Sequence, residues 1–475
     1  MLTYSFVDLG SDSLYEHLYK CIKNDIINGI LGAGDKLPSK RSFAKNLGIS
    51  TITVENAYAQ LMAEGYIYSV PKKGYFIAAV KSISEKKLPK REEKKETPEK
   101  AGYFVDFISN RTSHGNFPFS VWAKLMREVL SGESSTLLQP PPVGGIMELR
   151  KAIADHLYEF RGIGISPQQI IIGAGTEYLY GLLIQLFGTE SVYAIEDPGY
   201  QKIAQIYSSH GVEVRRIPMD ESGVRMDELE ASGSDILHLS PSHHYPTGTV
   251  TSISRRYELL GWASRNSRRY IIEDDYDSEF RLLGKPIPSL QSIDVMDRVI
   301  YMNTFSKSLS STIRISYMVL PEKLLKQFYA KLGFYSCTVS NFEQYTLARF
   351  ISGGYFEKHI NRMRNYYRNQ RDMLLESIRK SSLAGKIQIK EENAGLHFLM
   401  EISTELSDEA LEKAAEQQGI GISCLSKYYF HPEDAKQHVL VLNYSGVDKD
   451  KMDEAMKRLS KCITVDGGHV LCYDW

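Results

Sequence analysis

Val299-Ile300-Tyr301-Met302-Asn303-Thr304-Phe305-Ser306-Lys307-Ser308-Leu309 is the stretch on which the reading of this chain turns. A β-rich apolar run ends in small hydroxyl residues, and a single lysine follows at the mouth of the strand. A lysine so placed forms an imine with an aldehyde cofactor, and Thr304, Ser306 and Ser308 are sized to bond a phosphate. Most Ser-Lys pairs are solvated surface, so the stretch needs support from elsewhere in the chain. The upstream segment Tyr270-Ile271-Ile272-Glu273-Asp274-Asp275-Tyr276-Asp277 supplies it. This segment has the pattern of a buried strand and delivers carboxylates and a phenol at its end.

Pyridoxal phosphate needs this set of groups: a Schiff-base lysine, an acid that keeps the ring nitrogen protonated, and a donor for the ring phenolate. Lys307, Asp274 and Tyr276 are the candidates, with room between the two segments for a loop, a short helix and a strand. Arg314 follows as a phosphate clamp. Two adjacent aspartates are otherwise a loop-capping pair. The cofactor reading overtakes that one because lysine, hydroxyls and arginine coincide.

The spans RYIIEDDYDSEF and YMNTFSKSLSSTIRISYMVLP resemble the aminotransferase-like domain of the MocR family of bacterial regulators. The resemblance implies an N-terminal winged helix-turn-helix of the GntR type (α+β), joined by a linker to an α/β domain. That second domain would have the fold-type-I, pyridoxal-phosphate-dependent aminotransferase architecture.

Composition is compatible with this. The 475 residues suggest two or three domains, and 43% hydrophobic with 24% charged residues is ordinary for a globular protein. A net charge of −1 gives no global basic field, so DNA contact must come from a local patch. The five cysteines are scattered with no paired metal-ligand spacing, and neither a signal pattern nor a membrane-length apolar run is present. A cytoplasmic protein without a metal site or a membrane partner is expected.

Residues 1–79 read as the winged helix. Leu14, Leu18, Ile22, Ile26 and Ile27 give an amphipathic helix that Asn28-Gly29 stops. Leu31 to Pro38 reads as a turn. Ser39 caps a second helix, Lys40 to Asn46, and Ser50 caps a third, Thr51 to Glu64. Tyr66–Val70 and Tyr75–Ala78 form a hairpin whose tip, Pro71 to Gly74, is basic. The stretch GDKLPSKRSFAKNLGIS…VENAYAQLMAEGY…KKGYFI resembles the GntR winged helix, which implies binding of double-stranded DNA. Lys40, Arg41, Lys72 and Lys73 are the expected phosphate contacts, and Ser50, Thr51, Thr53 and Asn56 stand where the recognition helix meets DNA. Thr51 and Glu55 replace arginines common in that family, which leaves the helix poor in positive charge.

Residues 80–102 read as a charged flexible linker, with eight basic residues and five glutamates between Lys81 and Lys100. Residues 103–475 form the aminotransferase-like domain, its large part about 140–330 and its small part about 331–475. Ile170-Ile171-Ile172-Gly173-Ala174-Gly175-Thr176-Glu177-Tyr178 is strand, glycine turn and helix, a phosphate site through the backbone of Gly175, Thr176 and Glu177. Tyr178 is placed to stack on the ring. Similarity to the family puts Tyr200 near the substrate, and Lys202 where a relative uses arginine for an effector carboxylate.

Leu239-Ser240-Pro241-Ser242-His243-His244-Tyr245-Pro246-Thr247-Gly248 matches the aminotransferase pattern ending Asn-Pro-Thr-Gly, with Tyr245 in place of the asparagine. His243 or His244 is then a substitute partner for the ring phenolate. Residues 355–371 form a basic helix whose Arg362 and Arg364 serve an interface or the site. Val441-Leu442-Asn443-Tyr444-Ser445 lacks the arginine that grips the substrate carboxylate in aminotransferases, and Lys427 or Lys202 takes part of that load.

The resemblance therefore implies a DNA-binding transcription regulator that uses pyridoxal 5'-phosphate. Its effector is a small amine or amino acid, sensed by displacing Lys307 to form an external aldimine. A head-to-tail homodimer on an operator with two half-sites goes with that reading. Two rivals remain: an active aminotransferase carrying a DNA-binding module, and a regulator that has lost its cofactor.

Overall fold

Leu18, Ile22 and Ile26 recur every fourth residue and bury one face of the helix Leu14–Ile27. Leu14 and Ile27, at its two ends, are exposed instead. The computed structural model describes residues 2–6, 12–79, 102–109, 114–132, 134–282, 287–392 and 395–463. Two compact units divide the chain, Met1–Ala101 and Gly102–Trp475. The expected linker, all but Gly102, lies outside the described residues.

In the first unit Ser39 and Ser50 cap the helices Lys40–Leu47 and Thr51–Ala63, accepting from the Ser42 and Thr53 amides. Gly48 ends the former at φ +66°, a left-handed turn that glycine adopts without penalty. Phe43, Val54, Tyr58 and Leu61 meet the first helix in one core with Ile67 and Ile77 of the hairpin. The hairpin strands are Ile67–Val70 and Gly74–Ile77. Lys36 and Leu37, read from sequence as part of a turn, form a third strand antiparallel to the second. The reason is the partner edge: Leu37 is 2% exposed, and the pairing satisfies the outer edge of Gly74–Ile77.

The second unit is built on an eight-stranded sheet. Its order is Ile170–Gly173, Ser316–Val319, Val299–Thr304, Tyr270–Asp274, Ile236–Leu239, Tyr193–Asp197, Val214–Asp220 and Gly223–Val224. Val299–Thr304, Tyr270–Asp274, Ile236–Leu239, Tyr193–Asp197 and Val214–Asp220 run parallel. Ser316–Val319 is antiparallel to both its neighbours, so Ile170–Gly173 runs with the parallel set. The apolar runs are continuous because both faces are covered. Ile300 and Met302 pack with the helix Thr176–Phe187 in one layer, while Tyr301 joins the layer of the long helix Tyr355–Lys380. That helix continues nine residues beyond the basic stretch read from sequence.

A three-stranded antiparallel sheet, Ile387–Lys390, His397–Ile402 and Val439–Asn443, follows toward the C-terminus. No helix among the described residues is long and apolar enough to cross a membrane. In an open sheet of the larger kind, ligands bind outside the carboxyl ends of the strands. Gly173, Asp197, Leu239, Asp274 and Thr304 are those ends.

Candidate functional site

A cavity of about 540 Å3 opens at these strand ends. Lys307 lines it from the one-turn helix Phe305–Ser308 that follows the strand Val299–Thr304. Desolvation pushes its amine down to about 8, against the opposing pull of Asp277. A lysine in that state is a usable nucleophile near neutral pH.

Asp274 ends the neighbouring strand and faces the same cavity. Its Oδ2 accepts a hydrogen bond from the Tyr180 phenol at 2.5 Å, while its buried Oδ1 has no partner. His238 Nε2 stands 3.6 Å from Oδ2, and Tyr207 Oη lies 2.8 Å from His238 Nδ1. Burial holds the Tyr207 phenol protonated, so it is able to donate to Nδ1. Asp275 turns to the opposite side, paired with Arg161 at 2.9 Å and bonded by the Tyr301 phenol at 2.6 Å. Alternation along the strand thus separates the two aspartates.

Gly175 precedes the helix Thr176–Phe187 at φ +95°. A Cβ there would stand 2.5 Å from an Arg314 nitrogen, so only glycine permits the arginine to approach the helix N-terminus. Thr176, Glu177, Ser306, Ser311 and Arg314 line this end of the cavity. Glu177 binds Lys202, which lowers its pKa, and lies 3.6 Å from Arg314. Free helix N–H groups, hydroxyls and a guanidinium make a phosphate cradle. The unpartnered Asp274 Oδ1 matches a protonated ring nitrogen. This donor set fits pyridoxal phosphate.

Tyr276 also lines the cavity, its hydroxyl 3.4 Å from His243 Nδ1. Desolvation and then Asp277 hold it protonated, a hydrogen-bond donor. Glu196, passed over in the sequence reading, reaches the cavity as well. Burial raises its carboxyl to about 8, and its Oε1 has no partner. Tyr200, Tyr245 and Tyr428 form an aromatic wall.

Several expectations need correction. Tyr178 does not line the cavity but packs with the apolar layer behind it, and Tyr180 takes the inward position. Helical periodicity could have found this, since Thr176 and Tyr180 share a face and Tyr178 does not. His243 is buried with Nδ1 2.8 Å from Asp277 Oδ2 and borders a separate, small cavity with Arg161 and Ser242. Lys427 points away into an ion pair with Glu412, and its neighbour Tyr428 lines the cavity. The Thr304 hydroxyl lines the cavity but is occupied. It accepts from the Ser306 amide (3.1 Å) and Ser316 Oγ (2.8 Å), and donates to the Ile315 carbonyl. Arg362 bonds the Asn116 carbonyl and Arg364 the Glu279 carbonyl, so neither enters the cavity. His238 was missed; one polar residue inside an apolar strand was the available signal.

In the winged helix Thr51, Asn56, Arg41, Lys72 and Lys73 are exposed. Thr53 Oγ1 lies 2.8 Å from the capping Ser50 Oγ, so both hydroxyls serve the helix start. Lys40 is paired with Glu55 at 2.5 Å, and a DNA phosphate would have to displace that carboxylate.

Residues 104–459 match the family model "Aminotransferase class I and II", and residues 14–77 match "Bacterial regulatory proteins, gntR family". The HTH-type transcriptional regulator YdeL of Bacillus subtilis (strain 168) is 39% identical over 447 residues, 94% of this chain and 96% of that one. The regulatory protein MocR of Rhizobium meliloti is 30% identical over 468 residues, 94% of this chain and 93% of that one. Among solved structures, kynurenine aminotransferase of Pyrococcus horikoshii, in complex with PMP, superposes with a TM-score of 0.67. It is 26% identical and covers 76% of this chain and 91% of its own. Pyridoxal phosphate is therefore the cofactor, on fold, family and donor set alike. With both family models on one chain, and full-length relatives that are regulators, the protein belongs to the MocR family of DNA-binding transcription regulators, in which a GntR-type winged helix is fused to an aminotransferase-like domain.

Proposed function

We propose that this regulator senses a small primary amine at Lys307 and transmits its presence to the winged helix. The observation that supports it best is the meeting of Lys307, its amine held near 8, with the unpartnered Asp274 Oδ1 in one cavity. When bound, pyridoxal phosphate supplies an aldehyde carbon for which amines compete. Lys307 is the resident amine, and it takes up the protons that a competing amine gives up. Asp274 holds the ring-nitrogen proton, and Tyr276 donates toward the ring oxygen. The amides of Thr176 and Glu177, with Ser306 and Arg314, hold the phosphate, while the Gly175 amide is bonded to the Gly173 carbonyl at 2.9 Å. Tyr200 and Lys202 border the space left for the effector.

On the DNA side, Arg41, Lys72 and Lys73 contact phosphates while Thr51 and Asn56 meet base edges. One such helix offers few cationic contacts, so two linked winged helices of a cytoplasmic, head-to-tail dimer would read two half-sites. Borohydride treatment of the purified protein, followed by peptide mapping, tests the reading. The cofactor should be fixed on the peptide that contains Lys307, and a Lys307→Ala protein that still fixes it refutes the assignment. The aminotransferase rival is separated by a steady-state transamination assay, for which the absence of an arginine at Val441 predicts little turnover.

A further inference from the structure

The cavity has two unlike ends, and the second end specifies what the amine carries. Tyr200, Tyr245 and Tyr428 meet edge-to-face, with ring centroids 5.9 Å apart at 88° and 5.5 Å apart at 84°. The Tyr245 and Tyr428 hydroxyls are 2.9 Å apart and bond each other. Behind them Val441, fully buried, packs with Leu399 and Leu425. The wall therefore presents ring faces and edges backed by aliphatic side chains.

The cations Lys202 and Arg314 that line the cavity already have a carboxylate partner there, Glu177. Lys202 is held by Glu177, and Lys427 by Glu412 outside the cavity. Among the described residues that line the cavity, the guanidinium comes from Arg314 alone, at the phosphate end beside Gly175. Three carboxyl groups, Glu177, Glu196 and Asp274, also face the space. Glu196 is raised to about 8 by burial, Asp274 serves the ring nitrogen and Glu177 holds Lys202, so a ligand carboxylate would have to compete with Glu177 for that lysine, whereas an uncharged ring would meet the tyrosines at the edge-to-face spacing they already use among themselves.

Resting on the reading that amines exchange at Lys307, we propose that the effector is an arylalkylamine: a primary amine on a short carbon chain that ends in an uncharged aromatic ring and carries no carboxylate. The amine competes at Lys307 while the ring lies against Tyr200 and Tyr428.

The test is a spectral titration of the full-length, cofactor-loaded protein with 2-phenylethylamine, L-phenylalanine, 4-aminobutyrate and methylamine. The account expects 2-phenylethylamine to act at about tenfold lower concentration than either amino acid, the gain of roughly two ring-edge contacts. Tyr428→Ala should cut that preference to less than about threefold, one contact being lost, and leave the methylamine response in place. Tyr200→Ala, at an exposed ring, serves as a second variant should the first not fold, and Tyr428→Phe should keep the preference. L-phenylalanine or 4-aminobutyrate acting at equal or lower concentration would overturn the inference but leave the exchange at Lys307 standing. So would an unaltered preference in either alanine variant. No spectral change with any amine, methylamine included, would instead refute the exchange itself and this inference with it.

Discussion

The winged helix and the cofactor cavity handle polar groups in opposite ways. In the first, Thr51, Asn56, Arg41, Lys72 and Lys73 stand in solvent on a small apolar core, and the close ion pair Lys40–Glu55 is itself on the surface. In the second, Asp274, Glu196 and His238 are buried on strands and Tyr180 on the helix Thr176–Phe187; each makes a hydrogen bond, while Asp274 Oδ1, Glu196 Oε1 and His238 Nε2 are buried without a partner. Exposed charges interact through water and are screened by salt, so each contributes little by itself. Enclosed groups interact through low-dielectric surroundings, where an unmet partner is costly. The DNA-facing surface should therefore respond to substitution in small, salt-dependent steps, and the cavity in large steps that salt barely changes.

The largest effect is expected at Asp274. Asp274→Asn removes a charge-assisted hydrogen bond of about 1.5–3 kcal/mol, so cofactor affinity should fall by roughly ten- to a hundredfold, measured by equilibrium dialysis at two salt concentrations. Asp275→Asn breaks the Arg161 pair behind the sheet and should lower thermal stability more than cofactor affinity. The reverse ranking would mean that the cavity face of the strand has been misassigned.

Next in size is the pH response of the apo protein. Lys307 has a depressed pKa near 8, so its neutral fraction rises through that pH. The rate of cofactor attachment should climb from pH 7 to 9 and then level off, read by the growth of visible absorbance. An ordinary lysine would keep climbing past 10. The sign for stability agrees. Between about 8 and the unfolded value of 10.5 the unfolded chain binds more protons, so apo stability should also rise with pH across that window.

The smallest effects belong to the winged helix. Arg41→Ala should weaken operator and scrambled DNA alike by a few-fold and reduce the salt slope by about one. Glu55→Gln should release Lys40 and strengthen binding slightly at low salt, with no change in half-site preference. Thr51→Ala should change that preference instead. Fluorescence anisotropy titrations at several salt concentrations measure all three, and a large, salt-independent loss from Arg41→Ala would erase the contrast between the two regions.

Much of this architecture is legible in the chain. Four-residue spacing and serine caps mark the helices of the winged helix, and apolar runs ending in small or acidic residues mark the sheet. Lys307 and Asp274 stand out because each comes at the end of such a run, and Arg314 because it follows Lys307 by seven residues. Less visible is what depends on distant partners. Glu412 draws Lys427 away and Asp277 holds His243, and neither pairing has a local signature. The Thr304 hydroxyl is taken by Ser316, on a strand that only the antiparallel pairing brings alongside. Tyr180 differs: its place on the helix face was available from periodicity. Lys36 and Leu37 form a strand because of a partner edge, not through their own propensity.

The most direct test of the central claim is an operator-binding titration of the full-length, cofactor-loaded protein with and without 2-phenylethylamine, repeated with Lys307→Ala. The account predicts an amine-dependent change in operator affinity for the wild-type protein, accompanied by a shift in cofactor absorbance, and neither change in the variant. An amine response of DNA binding that survives intact in Lys307→Ala would contradict it.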